Sequence, residues 1–254
     1  VLGDVAWENP ESLQGRHKNR DIMKIEILPD IDSLSKRAAA VIAADARDAV
    51  KARGRFIMAV SGGKTPWLML RELAKEDVPW ASVHVFQVDE RIAPAGDPDR
   101  NYTHLRATLV ENAPIPPTQI YPMPVDLPNL AGAAAQYAHT LEEVAGRPPV
   151  LDLAHLGLGP DGHTASLIPN DPVLNVTDRD VALTGVYQGH PRMTLTYPVL
   201  NRARRILWLV SGKDKVAAFS KLRAADPSIP AGRISQAQAL LLADADAAGG
   251  ETVS

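Results

Sequence analysis

The chain has 254 residues, 45% of them hydrophobic and 22% charged, with a formal net charge of −3. That length and balance suit a folded α/β protein with a sizeable core, and the weak negative charge argues against nucleic acid or an anionic membrane as partner. There is no cysteine, which excludes a disulfide framework, a thiolate metal site and a cysteine nucleophile, and no run approaches the roughly 20 apolar residues of a membrane span.

Residues 1–22 are polar and lack the apolar stretch of a secretory signal. Met23 directly precedes a strand-like run. The expectation is therefore an N-terminal extension or cloning-derived sequence over residues 1–22 and one folded domain over residues 23–254, in a cytoplasmic protein. Ile25 to Leu28 reads as a short strand, and Ser33 to Ala52 as an Ala-rich helix with apolar residues at helical spacing. Arg55 to Val60 reads as a buried strand that stops at Ser61-Gly62-Gly63. Thr65-Pro66 then has the form of an N-cap followed by proline at the first helical position, opening a helix from Pro66 to Ala74.

The unit repeats. Val83 to Val88 reads as a strand ending in Asp89-Glu90-Arg91, with a helix from about Tyr102 to Val110. Residues 113–128 carry six prolines, with a short strand around Ile120-Tyr121. Ala131 to Val144 reads as a helix and Leu151 to Leu158 as a buried strand running into Gly159-Pro160-Asp161-Gly162-His163-Thr164. Strands follow at Val181 to Thr184, Arg192 to Thr196 and Arg205 to Val210, then Ser211-Gly212-Lys213, a helix from Asp214 to Ala224, and a last strand at Leu240 to Leu242. Alternating strands and helices predict a mostly parallel sheet with helices on both faces, leaving open a small subdomain.

Four of these strands end in loops rich in glycine and charge. Parallel strands end at one edge, where α/β proteins bind their ligands, so the loops should converge. Ser61, Gly62, Gly63, Lys64 and Thr65 have the parts of an anion site: two glycines for close backbone approach, a helix N-terminus and a cation. The longer glycine patterns of nucleotide hydrolases and dinucleotide enzymes are absent, so neither ATP nor NAD is implied. Asp89 and Arg91 stand at a strand end, where Arg91 can fork onto a phosphate. His163 follows the sharp turn at Asp161-Gly162 and is the best candidate base. Asp161 either orients the ring, touches the substrate or simply makes the turn. Lys213 repeats the strand–glycine–lysine–helix arrangement of Lys64. No metal-ligand spacing is present.

Together these loops resemble the 6-phosphogluconolactonase family. The motifs are Ser61-Gly62-Gly63-Lys64-Thr65-Pro66; Val88-Asp89-Glu90-Arg91 with Asn101-Tyr102; Gly157 to Leu167 with Pro169; Thr194 to Asn201; and Gly212-Lys213. The resemblance implies a Rossmann-like fold and hydrolysis of 6-phosphoglucono-1,5-lactone, with His163 as base and Arg91 and Lys213 on the phosphate or substrate. It implies no cofactor and no partner beyond a small sugar phosphate, in a monomer or homodimer. Glucosamine-6-phosphate deaminases carry a related glycine loop and Asp-Gly-His, but Thr164-Ala165-Ser166-Leu167 and Arg91 depart from their pattern. A non-catalytic sugar-phosphate sensor on the same fold would need a DNA-binding helix pair, for which residues 1–22 are too short and irregular.

Overall fold

Three strands of the sheet carry unbroken runs of five apolar residues that alternate between two cores. The computed structural model describes residues 23–251. In β2 (Phe56–Val60), Ile57 and Ala59 enter one core while Phe56, Met58 and Val60 enter the other. In β9 (Ile206–Val210), Ile206, Trp208 and Val210 face the first core and Leu207 and Leu209 the second. In β10 (Ala239–Asp244), Leu241 and Ala243 oppose Leu240 and Leu242 in the same way. Side chains alternate along a strand, so an unbroken apolar run is stable only with both faces covered.

The cover comes from helices. The second core includes residues of α1 (Ile31–Arg53) and α2 (Lys64–Leu73), joined by Leu105 of α3 (Asn101–Leu105). The first includes α4 (Leu130–Ala145), α5 (Tyr197–Arg202) and α6 (Val216–Arg223). α1 is capped at one end by the Asp30 carboxylate, which accepts from Ser33 N at 2.7 Å, and at the other by Gly54 at φ 75°.

The main sheet is wholly parallel, with seven strands in the order β1 (Lys24–Leu28), β10, β9, β6 (Leu153–Gly157), β2, β3 (Val83–Gln87) and β5 (Ile120–Tyr121). From β2 the chain moves outward through β3 to β5. It then returns to β6 on the other side of β2 and moves outward again through β9 to β10. The strand order therefore reverses between β2 and β6, and a crevice opens at such a switch point.

Several elements differ from expectation. Asp89–Arg91 is a strand, β4, paired antiparallel with β8 (Arg192–Leu195), which also pairs with β7 (Val181–Leu183). These strands form a separate three-stranded sheet, so they do not extend the parallel one. Three residues are too few to show a period, and only their partners make β4 a strand. The helix predicted over Tyr102 to Val110 is α3 followed by a π-helical turn, Arg106–Val110. That predicted from Asp214 opens as a 3₁₀ turn, Lys213–Lys215, before α6. α5 was not expected; Thr196 with Pro198 in the first turn was its available signal. The predicted extension, residues 1–22, lies outside the described residues. Among the described residues no helix is long and apolar enough to cross a membrane.

Candidate active site

The loops after β2 and β6 meet at the switch point and, with those after β9 and within the small sheet, line a cavity of about 450 Å³. Of the predicted residues, Ser61, Gly62, Gly63, Lys64, Thr65, Asp89, Arg91 and His163 line it. Asp161, Gly162 and Lys213 do not.

The first loop is built around the start of α2. The helix begins at Lys64, two residues earlier than the Thr-Pro pair suggested, because Gly63 at φ 118° serves as its N-cap. No side chain caps this end, so the positive end of the helix dipole faces the cavity. Thr65, freed from capping, pairs its Oγ1 with Ser211 Oγ at 2.5 Å and ties this loop to the one after β9. Ser61 is turned inward. Its N–H donates to His155 Nδ1 at 3.2 Å and its Oγ to the His155 carbonyl at 3.0 Å. It anchors the loop to β6, with both its donors engaged there. Gly62 has to lack a side chain because a Cβ would lie 1.9 Å from Asn101 Oδ1.

In the acidic motif the three charges divide their work. Glu90 is fully buried. Its carboxylate accepts from the N–H groups of Arg91, Asn101 and Tyr102 at 2.7–2.8 Å and from Gln87 Nε2 at 2.8 Å. It therefore secures the turn into α3. Asp89 accepts from Ser166 Oγ at 2.6 Å and from Asn101 Nδ2 at 3.3 Å, which joins β4 to the loop after β6. Arg91 donates one Nη1–H to the Asp99 carbonyl at 2.6 Å and still lines the cavity.

The loop after β6 is a tight turn. Gly162 N–H donates to the Gly159 carbonyl at 3.0 Å, and Gly159 N–H to the His163 carbonyl at 2.9 Å. Gly162 is at φ 83°, and a Cβ there would sit 2.5 Å from Ile229. At Gly159 a Cβ would sit 2.0 Å from His163 Nδ1. The turn carries His163 to the cavity and leaves Asp161 beside its ring: Nδ1 lies 2.6 Å from Asp161 Oδ1, which also accepts His163 N–H at 3.1 Å. The sequence left three uses of Asp161 open, and the geometry favours ring orientation. Burial raises the affinity of Asp161 for a proton, but hydrogen bonds from His163 and Tyr187 outweigh it and hold the carboxyl well below its ordinary range. An ionised carboxylate only accepts, so Nδ1 carries a hydrogen, and in the neutral ring the lone pair is the one on Nε2.

Lys213, expected on the phosphate or substrate, is not among the residues that line the cavity. Its side chain is 82% exposed and its nearest carboxylate, that of Asp246, is 3.9 Å away. The 3₁₀ turn sets the register so that Lys215, two residues on, lines the cavity. A second cation escaped the sequence reading. Arg192 in β8 is 3% exposed, lines the cavity and faces Arg91 across the β4–β8 pair. Burial pulls its guanidinium below the ordinary value, while Asp89 acts in the opposite sense. Its only signal was an arginine opening an otherwise apolar strand. Lys64, Arg91, Arg192 and Lys215 thus bring four cations to a cavity lined by one carboxylate, Asp89, with Lys215 also paired to Asp214 at 2.8 Å outside the lining. That local excess suits a phosphorylated ligand in a chain whose overall charge is negative. A separate cavity of about 620 Å³ between α1, α2 and the π-helical turn shares none of these residues and contains no histidine. Among the described residues no three His, Asp or Glu side chains cluster as metal ligands.

Residues 29–242 match the family described as glucosamine-6-phosphate isomerases/6-phosphogluconolactonase. A 6-phosphogluconolactonase from Nostoc sp. is 36% identical over 236 residues, covering 91% of this chain and 98% of its own. One from Mycobacterium tuberculosis is 37% identical over 238 residues, covering 88% and 96%. Among solved structures, the 6-phosphogluconolactonase of Thermotoga maritima superposes with a TM-score of 0.79 at 26% identity, covering 87% of this chain and 99% of that one. On the profile match and the relatives alike, the chain belongs to the glucosamine-6-phosphate isomerase/6-phosphogluconolactonase family.

Proposed function

We propose that the protein hydrolyses 6-phospho-D-glucono-1,5-lactone to 6-phospho-D-gluconate, the lactone step of the oxidative pentose phosphate pathway. The observation that carries this reading is the pairing, in one cavity, of an Asp161-oriented His163 with four cations. The relatives named 6-phosphogluconolactonase support the same reaction. The catalytic domain is residues 23–254, and the working compartment is the cytoplasm, where a charged sugar phosphate is retained.

The chemistry follows from a cyclic ester. His163 Nε2 takes a proton as water attacks C1, and Asp161 stabilises the imidazolium that forms. The tetrahedral intermediate collapses by breaking the bond between C1 and the ring oxygen, which takes the proton back from His163, and the carboxylic acid so formed releases its own proton to solvent and leaves as the carboxylate. Arg91, Arg192 and Lys215, with the N-terminus of α2, hold the remote phosphate. That grip keeps C1 near His163 and lowers the entropic part of the barrier. The test is lactone loss above the spontaneous rate, without added metal or nucleotide, for phosphorylated and unphosphorylated gluconolactone. His163→Ala should retain its fold and lose about 10²–10⁴-fold in kcat. Turnover near the wild-type rate in that variant would remove His163 from the mechanism.

A further inference from the structure

One polar group in contact with the His163–Asp161 pair has no place in the mechanism so far. Between β7 and β8 the chain makes a two-residue hairpin turn: Tyr187 N–H donates to the His190 carbonyl at 2.9 Å and His190 N–H returns to the Tyr187 carbonyl at 3.3 Å. The turn residues Gln188 and Gly189 have φ of 49° and 86°, the positive pair of a type I′ turn, whose twist matches the flanking strands. Such a turn allows one register, so it fixes where the Tyr187 ring goes. The ring meets His163 edge-on, with centroids 5.3 Å apart and planes at 67°. Its hydroxyl lies 2.9 Å from Asp161 Oδ2.

The arm is braced on both sides. Arg192 donates from Nη2 to the Tyr187 carbonyl at 3.2 Å, and its guanidinium stands 5.1 Å from the ring centroid. On the other strand of the turn, His190 Nε2 lies 3.0 Å from Asp99 Oδ2, in the loop after β4. Burial and the neighbouring carboxylate push the Tyr187 phenol up to about 12, so it keeps its proton and is the donor.

We propose that Tyr187 is a positioning residue of this site: its hydroxyl holds one oxygen of Asp161 so that the other meets His163 in a single orientation. A carboxylate bonded only through Oδ1 is free to rotate about its last torsion and offer Nδ1 a misaligned acceptor. With Oδ2 held by Tyr187 that rotation is blocked, and the neutral His163 ring stays in the Nδ1–H form with its lone pair on Nε2. The hairpin thus presets the base before substrate arrives. This proposal rests on the lactonase reading with His163 as base.

The test uses the full chain and the variants Tyr187→Phe and His163→Ala. Phenylalanine keeps the ring and the ring's contacts with His163 and Arg192, and removes only the hydroxyl, which lies 2.9 Å from Asp161 Oδ2 and 3.4 Å from His163 Nδ1. Thermal melting should show Tyr187→Phe folded. Its kcat should fall roughly tenfold, the scale of one lost hydrogen bond to a charged group, with KM for the phosphorylated lactone within about twofold of wild type. In ¹⁵N-labelled protein the His163 signals should move from a single Nδ1–H tautomer toward a mixture of the two. A Tyr187→Phe enzyme with unchanged kcat, or with the loss in KM alone, would overturn the proposal, as would an unchanged tautomer signature. If instead the wild type does not accelerate lactone loss, or His163→Ala matches it, the lactonase reading fails. The tautomer measurement still decides whether Tyr187 orders the pair.

Discussion

Acid should destabilise this protein through one buried imidazole. His155 sits in β6 with no solvent exposure, and its Nδ1 accepts the Ser61 N–H at 3.2 Å. Burial disfavours the charged ring and pushes its pKa from the ordinary 6.5 down to about 4. Between those values the unfolded chain holds a proton that the folded chain refuses. Stability is therefore full above about pH 6.5, falls as the pH drops through this window, and loses nothing further to this group below about 4. At about 1.4 kcal/mol per pH unit across roughly 2.5 units, the loss comes to about 3 kcal/mol, a large part of a typical folding free energy. Protonation would also abolish the acceptor for Ser61 N–H, so the loop that starts α2 should loosen first. The assay is urea unfolding at pH values across and above the window, for wild type and His155→Asn. Asparagine offers an acceptor near the place of Nδ1 and does not titrate. The variant should show a shallower fall in stability by about the stated amount. Parallel pH slopes for the two proteins would refute the assignment of the acid sensitivity to His155.

Two further outcomes separate the parts of the site. Gly159→Ala would place a methyl 2.0 Å from His163 Nδ1 and 2.7 Å from Asp161 Oδ1; kcat should fall by about 10²-fold or more, the worth of a positioned base, while the melting temperature changes little. Steady-state kinetics with circular dichroism would check both, and an unaffected kcat would mean that the pair tolerates displacement. Lys215→Ala should raise KM for the phosphorylated lactone about fivefold or more, as expected for a charge-assisted contact to phosphate. Lys213→Ala should leave it unchanged, and the reverse ranking would restore Lys213 to the site.

Where a pattern is local, it is legible in the chain. The apolar runs of β2, β6 and β9 announce strands covered on both faces, because a residue's neighbours two positions away show the period. The glycines of Ser61-Gly62-Gly63 and Asp161-Gly162-His163 announce turns at strand ends, and parallel strands bring such ends to one edge. Eight residues of the cavity stand in those turns and strand ends, and Asp161 stands beside His163 in the same turn with its use left open by the sequence. The family resemblance, carried by the same loops, narrowed the chemistry to a lactone.

What the chain alone did not determine depends on partners distant in sequence. Asp89–Arg91 is a strand only because Arg192–Thr194 lies against it. Arg192 enters the cavity because that pairing sets it opposite Arg91, and no local period distinguishes it from a surface arginine. Lys215 replaces Lys213 because a 3₁₀ turn advances each residue by more angle than an α-helix. Asp161 meets the Tyr187 hydroxyl at 2.9 Å, a partner 26 residues away in the chain. Periodicity and turn chemistry reach only a few residues along the backbone, so the sequence by itself determined the strands of the parallel sheet, the turns at their ends and the place of His163 in one of them. Side chains from separate loops acquire a relation only when the sheet closes, so the cations, the brace on Asp161 and the register of Lys215 were decided by tertiary structure.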